Sequence, residues 1–245
     1  MTVFASGRHK KLRLLKMDKV LQQKFSKEVE IVFRTDRVEM RMCQDDCVGC
    51  FNDWQGQFLD NCKPSLDYSR VFMILESPHV DELANDPILP ARGKTGTRIR
   101  DYWQAIFGNY FDSVPLILIN AIRYQCSQGL PIKDGRKNQV FGDLMRLKCF
   151  QENLRSRIVD DWRFDTRSDV LINACTRGRP HGQVKRNDEF VQDVLEKIAQ
   201  GERILRFYHP CTWWCRCRVY DMANRVNEYI RYKTIYVTPS CHVRG

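Results

Sequence analysis

Val71-Phe72-Met73-Ile74-Leu75-Glu76-Ser77-Pro78-His79 is the stretch whose reading decides the fold. Its first five residues are apolar without alternation, which marks a strand buried on both faces, as in parallel sheets covered by helices on either side. Pro78 has no N–H to give to a ladder, so the strand ends before it and polar residues follow at once. Three more short apolar runs repeat the pattern, Leu116 to Asn120, Val170 to Asn173 and Ile204 to Tyr208. Between them lie longer segments with helical periodicity over Thr97 to Phe107, Lys148 to Asp160 and Asp188 to Ala199, the last with Asn187 as its expected N-cap. The expectation is an α/β fold, a three-layer αβα arrangement around a central four-stranded parallel sheet. Ligands of such sheets bind beyond the C-terminal ends of the strands, so the residues just after each run are the candidates for function.

The N-terminal region reads differently. Leu14, Met17, Leu21 and Phe25 recur at helical spacing and predict an amphipathic helix over about 10 to 27 with a basic outer face. Val29, Ile31 and Phe33, then Val38, Met40 and Met42, alternate around Thr35 and Asp36 and predict a hairpin. A cysteine-rich stretch follows. The chain is therefore expected to divide into a small helical and Cys-rich extension over 1–66 and an α/β domain over 67–245. Within the extension, Cys43, Cys47, Cys50 and Cys62 present soft ligands around a C-x-x-C core, and this local spacing favours a structural zinc ion.

Composition bounds the partners. With 40 Lys and Arg against 30 Asp and Glu, the formal net charge is +10, which favours a polyanion, and DNA is the natural candidate. The apolar runs are too short to cross a bilayer, so no membrane partner is expected, and none of the motifs points to a protein partner. Charges interrupt every apolar stretch of the first twenty residues, leaving no room for a secretory leader, and a cytoplasmic protein is expected. In a reducing compartment eleven cysteines point to metal ligation or to small buried side chains rather than to disulfides.

The residues beyond the strand ends carry a resemblance. Glu76-Ser77-Pro78-His79 resembles the Gly-Glu-Ala-Pro-Gly motif of the bacterial and archaeal iron-sulfur branch of the uracil-DNA glycosylase superfamily, with Leu75 for the first Gly and His79 for the last. Gly93-Lys94-Thr95-Gly96 is similar to that branch's Gly-x-Ala-Gly turn. It does not make a nucleotide-hydrolase phosphate loop, because Ile88 stands where that motif needs a further Gly. The run ending in Asn120 resembles the family strand whose Asn reads the base, Cys149, Phe150, Leu154 and Ile158 resemble its Cys-x-x-x-Leu helix, and Tyr208-His209-Pro210-Cys211 resembles its His-Pro-Ser, with Cys211 for Ser.

The resemblance implies a monofunctional DNA glycosylase that flips a pyrimidine and hydrolyses its bond to the sugar. His209 would then meet the pyrimidine O2 as charge develops there. Asn120 would read the N3 and C4 edge in either amide orientation. Glu76 would position the water, with Asp81 and Glu82 as alternative acids. Ser77, Pro78 and His79 would bound the base, and Gly93 to Gly96 would meet the DNA backbone. Trp213, with Trp214 beside it, falls where the family carries the wedge that fills the vacated stack. His79, in place of the Tyr that rejects C5 substituents in another branch, leans the expectation toward a modified pyrimidine such as hydroxymethylated or glucosylated cytosine of phage DNA, hence antiviral defence. Uracil repair is the alternative. The iron-sulfur branch also implies a second grouping of metal ligands, Cys47 and Cys50 with Cys126 and Cys149. Two other readings stay open: a zinc deaminase, from whose motif His79-Val80-Asp81 and Pro210-Cys211 with Cys215 depart, and a non-catalytic zinc-bearing DNA-binding module.

Overall fold

The computed structural model describes residues 19–27, 42–48, 69–79, 81–84, 86–112, 114–126, 137–177 and 185–232. Residues 19–27 form helix α1. The expected hairpin and the cysteines Cys50 and Cys62 lie outside the described residues. Strands β1 (Asp46–Cys47), β2 (Val71–Leu75), β3 (Leu116–Asn120), β4 (Val170–Asn173) and β5 (Leu205–Arg206) form one sheet in the order β1-β3-β2-β4-β5. β2 runs parallel to both β3 and β4, with Val71 level with Leu116 and Val170, and β4 runs parallel to β5. β1 pairs antiparallel with β3. The fold is α/β, and the expected four-stranded parallel sheet is corrected to a five-stranded mixed one. A strand of two residues has no periodicity to detect, and β1 came from the region read as a separate extension.

Helices α2 (Lys94–Phe107), α3 (Lys137–Arg146), α4 (Lys148–Ser156), α5 (Asn187–Ala199) and α6 (Arg216–Tyr232) cover the sheet. Alternate strand residues feed two cores. Val71, Met73, Leu116, Leu118, Val170 and Ile172 pack with Ile99, Trp103 and Phe107 of α2 and Met222 and Val226 of α6. Phe72, Ile74, Ile117, Ile119 and Leu171 pack on the other face with residues of α1, α3, α4 and α5. Period-two side-chain direction thus sends β2, β3 and β4 into both helical layers, which is why these runs are so apolar. No helix among the described residues is long and apolar enough to cross a membrane.

Two buried ion pairs hold the strand ends. At the entry to β2 and β4 the Arg70 guanidinium meets Asp169 at 2.6 Å and donates to the carbonyls of Trp162 and Arg163. At the exit of β3, Arg157 donates from one nitrogen to the carbonyls of Asn120 and Ala121, each at 2.9 Å, and from another to Asp45 at 2.6 Å. Arg157 sits in a single π-helical turn, Arg157–Asp161, that follows α4 where a continuous helix to Asp160 was expected. The Arg157 and Asp45 side chains are 2% and 8% exposed. Asp45→Ala, by stranding that buried cation, is expected to cost about 3–5 kcal/mol of stability, read as a lowered urea midpoint. A midpoint within experimental error of the parent would refute the pair's importance.

Candidate active site

β2 is the first strand of the parallel set, yet it lies between the next two, so the chain turns to opposite sides of it and leaves a crevice at the strand ends. A cleft of about 270 Å³ opens there, lined by Leu75, Glu76, Ser77, His79, Asp81, Glu82, Gly93, Lys94, Thr95, Asn120, Thr176, His209 and Cys211. Its size suits one small ring system. Each parallel strand delivers residues to it: Glu76 follows β2, Asn120 ends β3, Thr176 lies past β4, and His209 lies past β5.

His209 owes its protonation state to its neighbours. Burial, helped by the charge of His79, pushes its pKa from 6.5 down to about 4, so the ring is neutral near pH 7. Its Nδ1 accepts the Cys211 N–H at 3.4 Å and lies 3.0 Å from Cys211 Sγ. That thiol is held protonated, first by burial and then by the Glu76 carboxylate, so it too is a donor. With Nδ1 as acceptor, the imidazole proton sits on Nε2. The half-buried ring is therefore a neutral donor at the wall of the cleft.

The amide of Asn120, 2% exposed, is oriented from behind. Its Nδ2 donates to Cys43 Sγ at 3.3 Å, and its side chain also hydrogen-bonds the Glu82 carboxylate. With its NH₂ group given to Cys43, the amide is held in one orientation at the cleft wall, Oδ1 being the edge left for a ligand's N–H. Cys43 itself packs against Leu83 and Ile88.

The three candidate acids differ in setting. Glu76 is buried at the strand end, with Oε1 accepting from Asn187 Nδ2 at 3.3 Å. Asp81 is exposed and meets His79 Nδ1 at 3.2 Å at the mouth. Glu82 is a brace: Oε1 accepts from Ala91 N–H at 2.7 Å and Oε2 from His79 N–H at 3.3 Å. Burial lifts its pKa from 4.5 to about 7 against those hydrogen bonds. The folded state therefore holds this proton over a window where the unfolded chain has released it. The Glu82 contribution to stability should fall as pH rises from 4.5 through about 7, so the urea midpoint of the parent should drop relative to that of Glu82→Gln across that range.

The turn braced by Glu82 shapes the helix entry. Ala91 has a positive φ of 59°, and its carbonyl approaches Gly96 so closely that a Cβ there would lie 1.9 Å from the oxygen. Gly96 is thus a packing requirement and does not line the cleft. Gly93, Lys94 and Thr95 do line it, at an α2 N-terminus whose N-cap glycine supplies no side-chain cap and where the helix dipole favours an anion. Pro78 is buried just behind the lining.

Trp213 needs correction. Expected as the wedge, it is 0% exposed, its Nε1 donates to the Tyr208 carbonyl at 2.7 Å, and its ring packs against Phe207. A satisfied indole N–H lets the whole ring join the core. Trp214 is the exposed indole, at 62%. Trp213→Ala should cost about 3–5 kcal/mol of stability, whereas Trp214→Ala should leave the thermal midpoint essentially unmoved. Equal midpoint shifts in the two variants would contradict this division.

Sequence reasoning missed Thr176 and the support given by Cys43, Cys211 and Asn187. Asn187 was expected to cap α5; instead it is the first helical residue, Arg186 takes the cap position, and Glu189 accepts the Arg186 N–H at 2.8 Å. Of the zinc ligands expected, Cys43 is turned to Asn120 and Cys47 is buried in the α1, α3, α4 and α5 layer. Cys126, of the alternative cluster grouping, is buried in that layer, and Cys149 packs against it. Among the described residues no three His, Cys, Asp or Glu side chains are grouped to hold a metal ion. No family model matches the chain, and no match is found among curated proteins or solved structures.

Proposed function

We propose that the chain is a DNA glycosylase of the uracil-DNA glycosylase superfamily type, which extrudes one pyrimidine and hydrolyses its N-glycosidic bond to leave an abasic site. The observation that carries the reading is the convergence of Glu76, Asn120 and a neutral, Nε2-protonated His209 on one cleft at the strand ends. As the C1′–N1 bond breaks, the bonding pair leaves with the base and charge gathers on its O2. His209 Nε2–H meets that oxygen, a donor fixed in place before the charge arrives. A water adds to C1′, and Glu76 stabilises the cationic sugar and takes the water's proton. The uncapped α2 N-terminus with Lys94 suits a flanking phosphate.

Asn120 Oδ1 suits a base edge bearing an N–H, either the 4-amino group of a cytosine or N3–H of uracil. The half-exposed His79 and Asp81 pair gives the mouth hydrogen-bonding groups where a C5 substituent would emerge, which supports a hydroxymethylated or glucosylated cytosine and, with it, a role against phage DNA. The acceptor edge of Asn120 keeps uracil repair as the second reading. Both are tested together by incubating the protein with DNAs carrying uracil, cytosine, hydroxymethylcytosine or glucosylated hydroxymethylcytosine, and assaying alkali-labile sites and free base. The modified cytosines are expected to be released fastest. Release of uracil alone would favour repair, and binding with no release from any DNA would sink the enzyme reading.

A further inference from the structure

Most arginines that hold this fold are matched to an acid: Arg70 to Asp169, Arg157 to Asp45, Arg206 to Asp188, Arg203 to Glu228 and Arg225 to Asp221. Arg177 and Arg218 are not. Among the described residues neither meets a carboxylate, and both guanidinium groups instead lie over the ring of Tyr208, at 4.5 and 5.1 Å from its centroid. An aromatic face offsets the mutual repulsion of two like charges only in part. Their position ties them to the cleft: Arg177 follows Thr176, Tyr208 precedes His209, and the charge of Arg218 acts on Cys211. They stand at the β4 and β5 rim, whereas Lys94 and the α2 N-terminus line the cleft on the β2 side.

We propose that Arg177 and Arg218, held on Tyr208, form a binding site for one phosphodiester of the DNA strand next to the extruded nucleotide. The inference rests on the reading of the cleft as a site for a flipped base. Planar guanidinium groups bind phosphate oxygens through paired, charge-assisted hydrogen bonds, and stacking on an aromatic ring pre-organises them for it. A strand whose nucleotide enters the cleft then has one phosphate on this pair and another at the α2 N-terminus, so the backbone is gripped on both sides of the base.

The test is equilibrium binding of a fluorescent DNA oligonucleotide across a salt series, with wild type, R177Q/R218Q, R177K/R218K, and Arg203→Gln as an exposed control away from the cleft. The glutamine pair should bind about tenfold or more weakly at low salt, and its log–log salt slope should be shallower by about one. The lysine pair keeps the charge and loses the paired geometry, so it should retain most of the slope with intermediate affinity. Slopes and affinities of the glutamine pair indistinguishable from those of wild type or the control would overturn the site. So would a lysine pair as weak and as shallow as the glutamine pair. Binding requires no chemistry, so the two ideas separate: DNA bound through this pair without base release would defeat the glycosylase reading alone, and base release with unchanged binding in the double variant would defeat this site alone.

Discussion

Glu76→Gln is expected to slow base release by a factor of about 10²–10⁴ while leaving DNA binding nearly intact. The replacement keeps the shape of the side chain and an oxygen for Asn187 to donate to, so the strand end should hold its conformation. What it removes is negative charge and basicity. A buried carboxylate at the end of β2 can face a sugar that becomes cationic, and it can accept the proton of the attacking water; an amide does neither. The comparison should be made by single-turnover rates at saturating protein, so that weakened binding does not count as lost chemistry. If Glu76→Gln released base as fast as the parent, the assignment of the water and the cation to this side chain would fall, and the exposed Asp81 would be the acid left to test.

His209→Ala should lower the same rate by about 10²–10³, the loss that follows removal of one pre-placed donor to a developing anion. The pH dependence gives a second check. With its pKa near 4, His209 stays neutral down to mildly acidic pH, so it should add no limb to the rate profile around its usual value of 6.5. Its stability linkage has a definite sign. The unfolded chain takes up this proton near 6.5 and the folded one only near 4, so the contribution is complete above 6.5 and is lost as pH falls toward 4. Imidazole resonances followed by NMR should show the ring titrating in that low range with the proton on Nε2. A ring titrating near 6.5 would contradict the tautomer argument.

Much of this was legible in the sequence because it rests on local pattern. The four short, largely apolar runs announced the parallel strands, and once they were placed, the residues after each strand had to gather at one sheet edge. What was not legible depends on contacts distant in the chain. Asp46 and Cys47 carry no strand signal and pair only because β3 offers them an open edge. Asn120 could be named but not oriented, since its direction is set by Cys43 and Glu82. Trp213 and Trp214 are the same residue type side by side, and only the turn at Pro210–Thr212 decides that the first enters the core and the second faces solvent. The state of His209 likewise depends on Cys211, which the sequence offers as a substitute for Ser and in the imperfect deaminase motif but not as the partner of His209. Helix α6 escaped notice because it buries few side chains and has a polar, charge-rich surface.

The segment 42–48 does more than precede the main body. It supplies the outermost strand, the carboxylate that neutralises Arg157, and the thiol behind the Asn120 amide. Truncating the protein at the apparent boundary between 66 and 67 would therefore expose a bare sheet edge, leave a cation stranded inside, and free Asn120 to rotate. A shortened version would be expected to lose robustness first, because the piece discarded is the backing on which the cleft-lining end of β3 rests.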